Sequence, residues 1–173
     1  MPGWAGCVSG NCDNGYGVYV TSFGDRYEGN HRNQKMHGEG LIIWSSGNRY
    51  KGDWVNNKKH GKGIYVWSDG NRYKGDFVDG AMHGNGVFTW ANGDRYEGGY
   101  VDGKEHGKGV FTFSDDGSKY AGIWSEGNLV RTTDQDRVYN ECLLEKGKEQ
   151  DMSVSAVLAA VQSVCQSIAV GEK

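Results

Sequence analysis

A block of 23 residues recurs along most of this chain and limits what it can fold into. Its clearest copy reads His60-Gly61-Lys62-Gly63-Ile64-Tyr65-Val66-Trp67-Ser68-Asp69-Gly70-Asn71-Arg72-Tyr73-Lys74-Gly75-Asp76-Phe77. The His-Gly-x-Gly step falls at His37, His60, His83 and His106, and the Tyr-x-Gly step at Tyr27, Tyr50, Tyr73 and Tyr96. Tyr120 follows after 24 residues, because Asp115-Asp116 lengthens one turn. A fixed period of this size denotes a repeat architecture, in which each unit is completed by its neighbours.

Each unit reads as a hairpin. The first strand is short, as in Gly40-Leu41-Ile42-Ile43-Trp44, Gly63 to Trp67 and Gly86 to Trp90, and its β-branched and aromatic residues suit a pleated strand. A turn with glycine in third place follows, as in Ser45-Ser46-Gly47-Asn48, where a hairpin commonly needs positive φ. The second strand, Arg49-Tyr50-Lys51-Gly52-Asp53-Trp54, puts Tyr50, Gly52 and Trp54 on one side and Arg49, Lys51 and Asp53 on the other. The strand glycines leave gaps on the aromatic side, so a neighbouring ring can lie over bare backbone. Val55 to Lys59 then reads as a loop returning to the next His-Gly-x-Gly. The expected product is all-β: a single-layer antiparallel meander, curled into a twisted trough.

The array spans residues 4–130, about five to six units, and its first unit is degenerate, with Asn14 in place of histidine. Residues 131–152 read as a short helix, Asp134 to Lys146, and a linker. Residues 153–170 read as an amphipathic C-terminal helix, with Val154, Val157, Val161, Val164 and Ile168 on one face. That helix either caps the sheet or meets another chain.

Composition excludes several classes. The 29 glycines do not fall every third residue, so this is no collagen, and the aromatic content opposes disorder. A net charge of −3 speaks against nucleic acid as a partner. No apolar run is long enough for a transmembrane helix, and Met1 to Gly6 lack the regions of a signal peptide. Reduced thiols are expected, with a Cys7–Cys12 disulfide as the alternative in an oxidising compartment.

The unit Tyr-x-Gly-x-aromatic, spacer, His-Gly-x-Gly-x-aromatic resembles the MORN repeat (membrane occupation and recognition nexus) over roughly residues 4–130. Tyr50 to Gly63, Tyr73 to Gly86 and Tyr96 to Gly109 match closely, whereas His31 stands where Trp54, Phe77, Tyr100 and Trp124 stand in later units. The resemblance implies a β-hairpin array used as an assembly platform, with no catalysis of its own. It suggests a cytoplasmic, cytoskeletal or ciliary setting. For some such repeats, lipid binding has been proposed.

Candidate sites follow from the two faces. The aromatic residues Tyr27, Trp44, Tyr50, Trp54, Trp67, Tyr73, Trp90 and Tyr96 could line a groove for a partner helix or peptide. Arg49, Lys51, Lys58 and Lys59 could hold anionic phospholipid, the alternative function. The row Arg26, Arg49, Arg72, Arg95 and Lys119 reads as a solvated ladder. Equivalent histidines in successive units should stand two strands, about 10 Å, apart, too far to share a zinc ion. Each ring is expected to hydrogen-bond locally and fix its turn. No nucleophile motif, phosphate loop, cofactor or metal site is expected. The expected function is a non-enzymatic scaffold within a larger assembly, with protein partners or a second copy of the chain.

Overall fold

The computed structural model describes residues 6–132. They form one twelve-stranded antiparallel sheet whose spatial order follows the chain. The strands are β1 (Gly6–Gly10), β2 (Asn14–Val20), β3 (Arg26–Arg32), β4 (Lys35–Ile43), β5 (Arg49–Val55), β6 (Lys58–Val66), β7 (Arg72–Val78), β8 (Ala81–Thr89), β9 (Arg95–Val101), β10 (Lys104–Thr112), β11 (Lys119–Ser125) and β12 (Asn128–Thr132). The meander is as expected. The helices expected over 134–146 and 153–170 lie outside the described residues, as do Cys142 and Cys165.

Two kinds of turn alternate. In Trp44-Ser45-Ser46-Gly47-Asn48 the Gly47 N–H donates to the Trp44 carbonyl at 2.9 Å, and Gly47 takes φ 90°. The other connection is tighter than a five-residue loop. Asn56 and Asn57 take φ of 50° and 69°, and Asp79-Gly80 and Asp102-Gly103 also have positive φ at both positions. Two residues with positive φ match the twist of the flanking strands, and asparagine, aspartate and glycine tolerate them best. Val55 and Lys58 are therefore paired strand residues and not loop.

The strand after each tight turn is accordingly longer than expected, because the His-Gly step lies inside it as a bulge. Asp53 pairs with His60 and Gly52 with Gly63, leaving Gly61-Lys62 unmatched on β5. Gly61 has φ 58°, and the Asp53 carboxylate accepts the Lys62 N–H at 3.0 Å. The next unit repeats this with Asp76 and Asn85 at 3.0 Å. On its other edge β6 runs regularly against β7. The inserted residues therefore kink each hairpin internally without disturbing the join to the next one.

The core is a layer of rings on one face. Glycines face each other across strands at Gly29–Gly40, Gly52–Gly63, Gly75–Gly86 and Gly98–Gly109. The preceding tyrosine lies flat across each pair. A Cβ on Gly63 would fall 2.4 Å from the Tyr50 ring. The Tyr50 hydroxyl donates to the Asp53 carbonyl at 3.0 Å, and Tyr27 and Tyr73 do the same to Asn30 and Asp76.

Both rims staple one hairpin to the next. On one, Asp25, Asn48, Asn71 and Asp94 side chains each accept a backbone N–H 20 residues on, from Ser45, Ser68, Ala91 and Ser114, at 2.8 Å. On the other, the N–H groups of Asn57, Gly80 and Gly103 donate to the carbonyls of Met36, Lys59 and Met82 at 2.9–3.0 Å.

The expectation of reduced thiols fails for one pair: Cys7 and Cys12 form a disulfide. It closes the β1–β2 hairpin at the end of the sheet, where β1 has a neighbour on one side only. The other two cysteines lie outside the described residues.

Three outcomes are expected. Gly63→Ala is expected to cost about 1–3 kcal/mol in urea denaturation, because neither ring nor backbone can retreat. Ser46→Ala in the exposed turn should stay within about 0.5 kcal/mol. Alkylation of free thiols before reduction should leave Cys7 and Cys12 unlabelled in peptide mass spectrometry.

Candidate functional site

The aromatic face divides into two rows with different roles. The inner row is a continuous column of edge-to-face contacts: Tyr27–Trp54, Trp54–Tyr50, Tyr50–Phe77, Phe77–Tyr73, Tyr73–Tyr100, Tyr100–Tyr96 and Tyr96–Trp124, with centroids 5.0–5.6 Å apart. His31 begins the column, edge-on to Tyr27 at 5.0 Å. Each contact of this geometry contributes about 0.5–1.5 kcal/mol beyond its buried area. Of the expected partner-binding residues, Tyr27, Tyr50, Trp54, Tyr73 and Tyr96 all belong to this column and are at most 3% exposed. They are sealed core, so a partner on this face would not touch them.

The outer row is only partly buried. Trp44, Tyr65, Trp67, Phe88, Trp90 and Phe111 follow one another with centroids 4.4–5.5 Å apart, tilted and not edge-on, and the exposed Phe113 ends the row edge-on to Phe111. Trp44, Trp67 and Trp90 therefore remain accessible. Tyr65, Phe88 and Phe111 complete the row and were legible from the period, since each sits at the same place in its unit.

The groove is on the other face. About 1250 Å³ of space runs across the strands along the glycine pairs, lined by Leu41, Ile64 and Val87, by Lys51, Lys62 and Lys74, and by the acids Glu28, Glu39, Asp53 and Glu97. The large hollow thus opens behind the glycines, while on the ring side the inner rings are drawn down onto the glycine backbone and the outer row stays partly open.

The expected lipid-binding cations are not brought together. Arg49 and Lys51 lie on the groove face. Lys58 pairs with Asp79 at 3.5 Å. Lys59 turns to the aromatic face, where its Nζ lies 4.3 Å from the Tyr65 centroid and 5.2 Å from that of Phe77. Burial among these rings lowers the Lys59 pKa. The cation row is uneven: Arg26 pairs with Glu28 at 2.6 Å and Arg95 with Glu97 at 2.7 Å, but Arg49 and Arg72 have glutamate replaced two residues on by Lys51 and Lys74.

The histidines depart from expectation. Nδ1 of His31, His37, His60 and His83 is buried without a hydrogen-bond partner. Local hydrogen bonding at that atom therefore does not explain the His-Gly step. The glycine that follows supplies the positive φ of the bulge, as at Gly38, Gly61, Gly84 and Gly107. No group of metal-ligating side chains converges among the described residues.

A sheet built from stapled hairpins, with its core on one face and a transverse groove on the other, defines a β-hairpin repeat protein. The family model of the MORN repeat matches residues 27–49, 50–72, 73–95 and 96–118, and the chain belongs to that family. The matched boundaries start each unit at Tyr27, Tyr50, Tyr73 and Tyr96, the ring that crosses the glycine pair. MORN repeats are non-enzymatic modules that mediate protein or membrane interactions. A search of curated proteins returned no match. Among solved structures, the chain is similar to the TCP domain of Drosophila melanogaster SAS-4 in complex with a proline-rich motif of Ana2. The identity is 12%, the TM-score 0.36, and the match covers 71% of this chain and 86% of that one. At that TM-score the likeness supports no argument about this chain.

Burial holds the column tyrosines neutral. The Tyr96 pKa is pushed up to about 12, first by burial and then by Glu105, and those of Tyr27, Tyr50, Tyr73 and Tyr100 are pushed higher still. An unfolded tyrosine ionises near 10, so the folded state holds protons that the unfolded state loses above that pH. This contribution to stability is intact below pH 10 and is lost as pH rises toward and through the folded values. Spectrophotometric titration should therefore show the column tyrosines ionising together with loss of the β circular-dichroism signal, well above pH 10.

Proposed function

We propose that this protein is a non-catalytic scaffold in a larger assembly, and that its ring-bearing face takes a helix or extended segment of a protein partner along Trp44, Trp67 and Trp90. The observation that carries this reading is the outer aromatic row. A single-layer sheet cannot cover its own rings, and this row stays partly open along four units while the inner row is sealed from Tyr27 to Tyr100. Large aromatics that are partly exposed and aligned are the residues that anchor protein interfaces. Their tilted, close packing also fixes their rotamers in advance, which lowers the cost of binding.

The cytoplasmic, cytoskeletal or ciliary setting remains part of this proposal and rests on the usage of the family. The Cys7–Cys12 bridge weighs the other way, since disulfides persist mainly in oxidising compartments. Fractionation of native cells would decide between them.

Trp67→Ala/Trp90→Ala, checked by circular dichroism, is expected to lose its specific partners in a pull-down from native extract. For a partner so identified, affinity should fall by about 2 kcal/mol or more. An unchanged partner set would make both tryptophans core only.

A further inference from the structure

The groove face has an order that the ring face lacks. In register across the sheet stand Glu28, Leu41, Lys51, Ile64, Lys74, Val87 and Glu97, one residue per strand from β3 to β9. Apolar and charged residues alternate strand by strand. The charges do not repeat. At either end, Glu28 and Glu97 are neutralised by Arg26 and Arg95. In the middle, Lys51 and Lys74 stand beside Arg49 and Arg72, two places back along the same strands. These four exposed cations have no ion pair or hydrogen bond through their side chains among the described residues. Lys62 is the exception, bonded to Asp76.

The spacing selects a shape. Alternate strands are about 9.6 Å apart. Seven residues of an α-helix rise about 10.5 Å, and half that rise about 5 Å, close to one strand spacing. A helix lying across the strands in the groove can therefore set one side chain on each of Leu41, Ile64 and Val87. The residue half a heptad later would fall over Lys51 or Lys74. Over three rungs the two periods slip by less than about 2 Å. An extended strand, at about 3.3 Å per residue, places same-face side chains about 6.6 Å apart and misses alternate rungs.

We propose that the groove along the glycine pairs binds an acidic amphipathic helix of a protein partner, with aliphatic residues at heptad spacing on Leu41, Ile64 and Val87 and carboxylates half a heptad later on Lys51 and Lys74. Arg49 and Arg72 extend the positive field on one side of those contacts, and Glu39 and Asp53, across the glycine row, keep carboxylates to that side. The neutral ends leave the central position as the most favourable register for two carboxylates. This surface is opposite the tryptophan row, so it does not rest on that reading.

The test uses the full chain and two synthetic helical peptides of about three heptads. Both carry leucine at every seventh position. One has glutamate half a heptad later, and the other has lysine there. Fluorescence anisotropy should show the glutamate peptide binding and the lysine peptide binding at least about tenfold more weakly. Lys51→Glu/Lys74→Glu, at exposed positions and checked by circular dichroism, should reverse that preference. Lys51→Gln/Lys74→Gln should abolish it, and Trp67→Ala/Trp90→Ala should leave it within twofold. Equal binding of the two peptides, no binding of either, or a preference unmoved by the charge reversal would overturn the proposal. So would binding lost in the tryptophan variant, which assigns the peptide to the ring face. Vesicles of phosphatidylcholine and phosphatidylserine that bind through Lys51 and Lys74 and exclude the glutamate peptide would overturn it in favour of a membrane surface.

Discussion

Everything in this sheet depends on a tyrosine ring lying across two facing glycines. The contact removes both side chains that would hold the ring away, so Tyr50 reaches the backbone of Gly52 and Gly63 and its hydroxyl reaches a carbonyl of its own strand. A ring at that height leaves room above it for the edge of Trp54 on its own strand and of Phe77 from the next unit. The column that results is why a single layer can seal hydrophobic residues at all. A sheet usually needs a second layer to bury one face. Here the glycines sink the first ring into the backbone, and the next ring becomes its cover.

The same residues create the groove. The glycines, whose absent Cβ atoms would meet the rings, leave bare backbone along the floor of the groove, and the His-Gly bulges lie two residues away. Asp53 and Asp76 hold the bulges by capping the N–H groups that have no ladder partner. The unit is therefore one coupled device of ring, glycine pair and bulge, to which the two central units add an acidic clamp. This explains why the unit boundaries at Tyr27, Tyr50, Tyr73 and Tyr96 recur so strictly.

The sequence made the repeat, the faces and the ring-over-glycine contact legible, because each depends on spacing within one unit. Tyr50, Gly52 and Trp54 share a side by simple alternation. The longer strand at Lys58–Val66 was hidden because the unmatched Gly61-Lys62 interrupts the ladder, and His60-Gly61 looks like a turn when read by composition. The tight turn at Asn56-Asn57, taken with its lysines, read as a loop. The burial of Tyr27, Tyr50, Trp54, Tyr73 and Tyr96 against the partial exposure of Trp44, Trp67 and Trp90 could not be separated by face, since all eight lie on the same one. It depends on distance from the glycine row, which is a two-dimensional property of the sheet. The disulfide was one of two readings because five-residue separation permits a bridge without requiring it.

Perfect repeats would make a poor recognition surface. A partner that fitted one unit would fit the next, and no register would be preferred. Specificity must therefore come from places where units differ. The ring column does not differ in kind, since Trp54, Phe77, Tyr100 and Trp124 all serve as lids. The groove face does: Arg-x-Glu at Arg26 and Arg95, Arg-x-Lys at Arg49 and Arg72, Asp53 and Asp76 at the clamp but Asn30 and Gly99 in the units beside them. These substitutions lie outside the tyrosine, glycine and histidine positions that build the sheet, so they vary at little cost to the fold. Architecture is carried by what repeats, and the register of a bound partner by what does not.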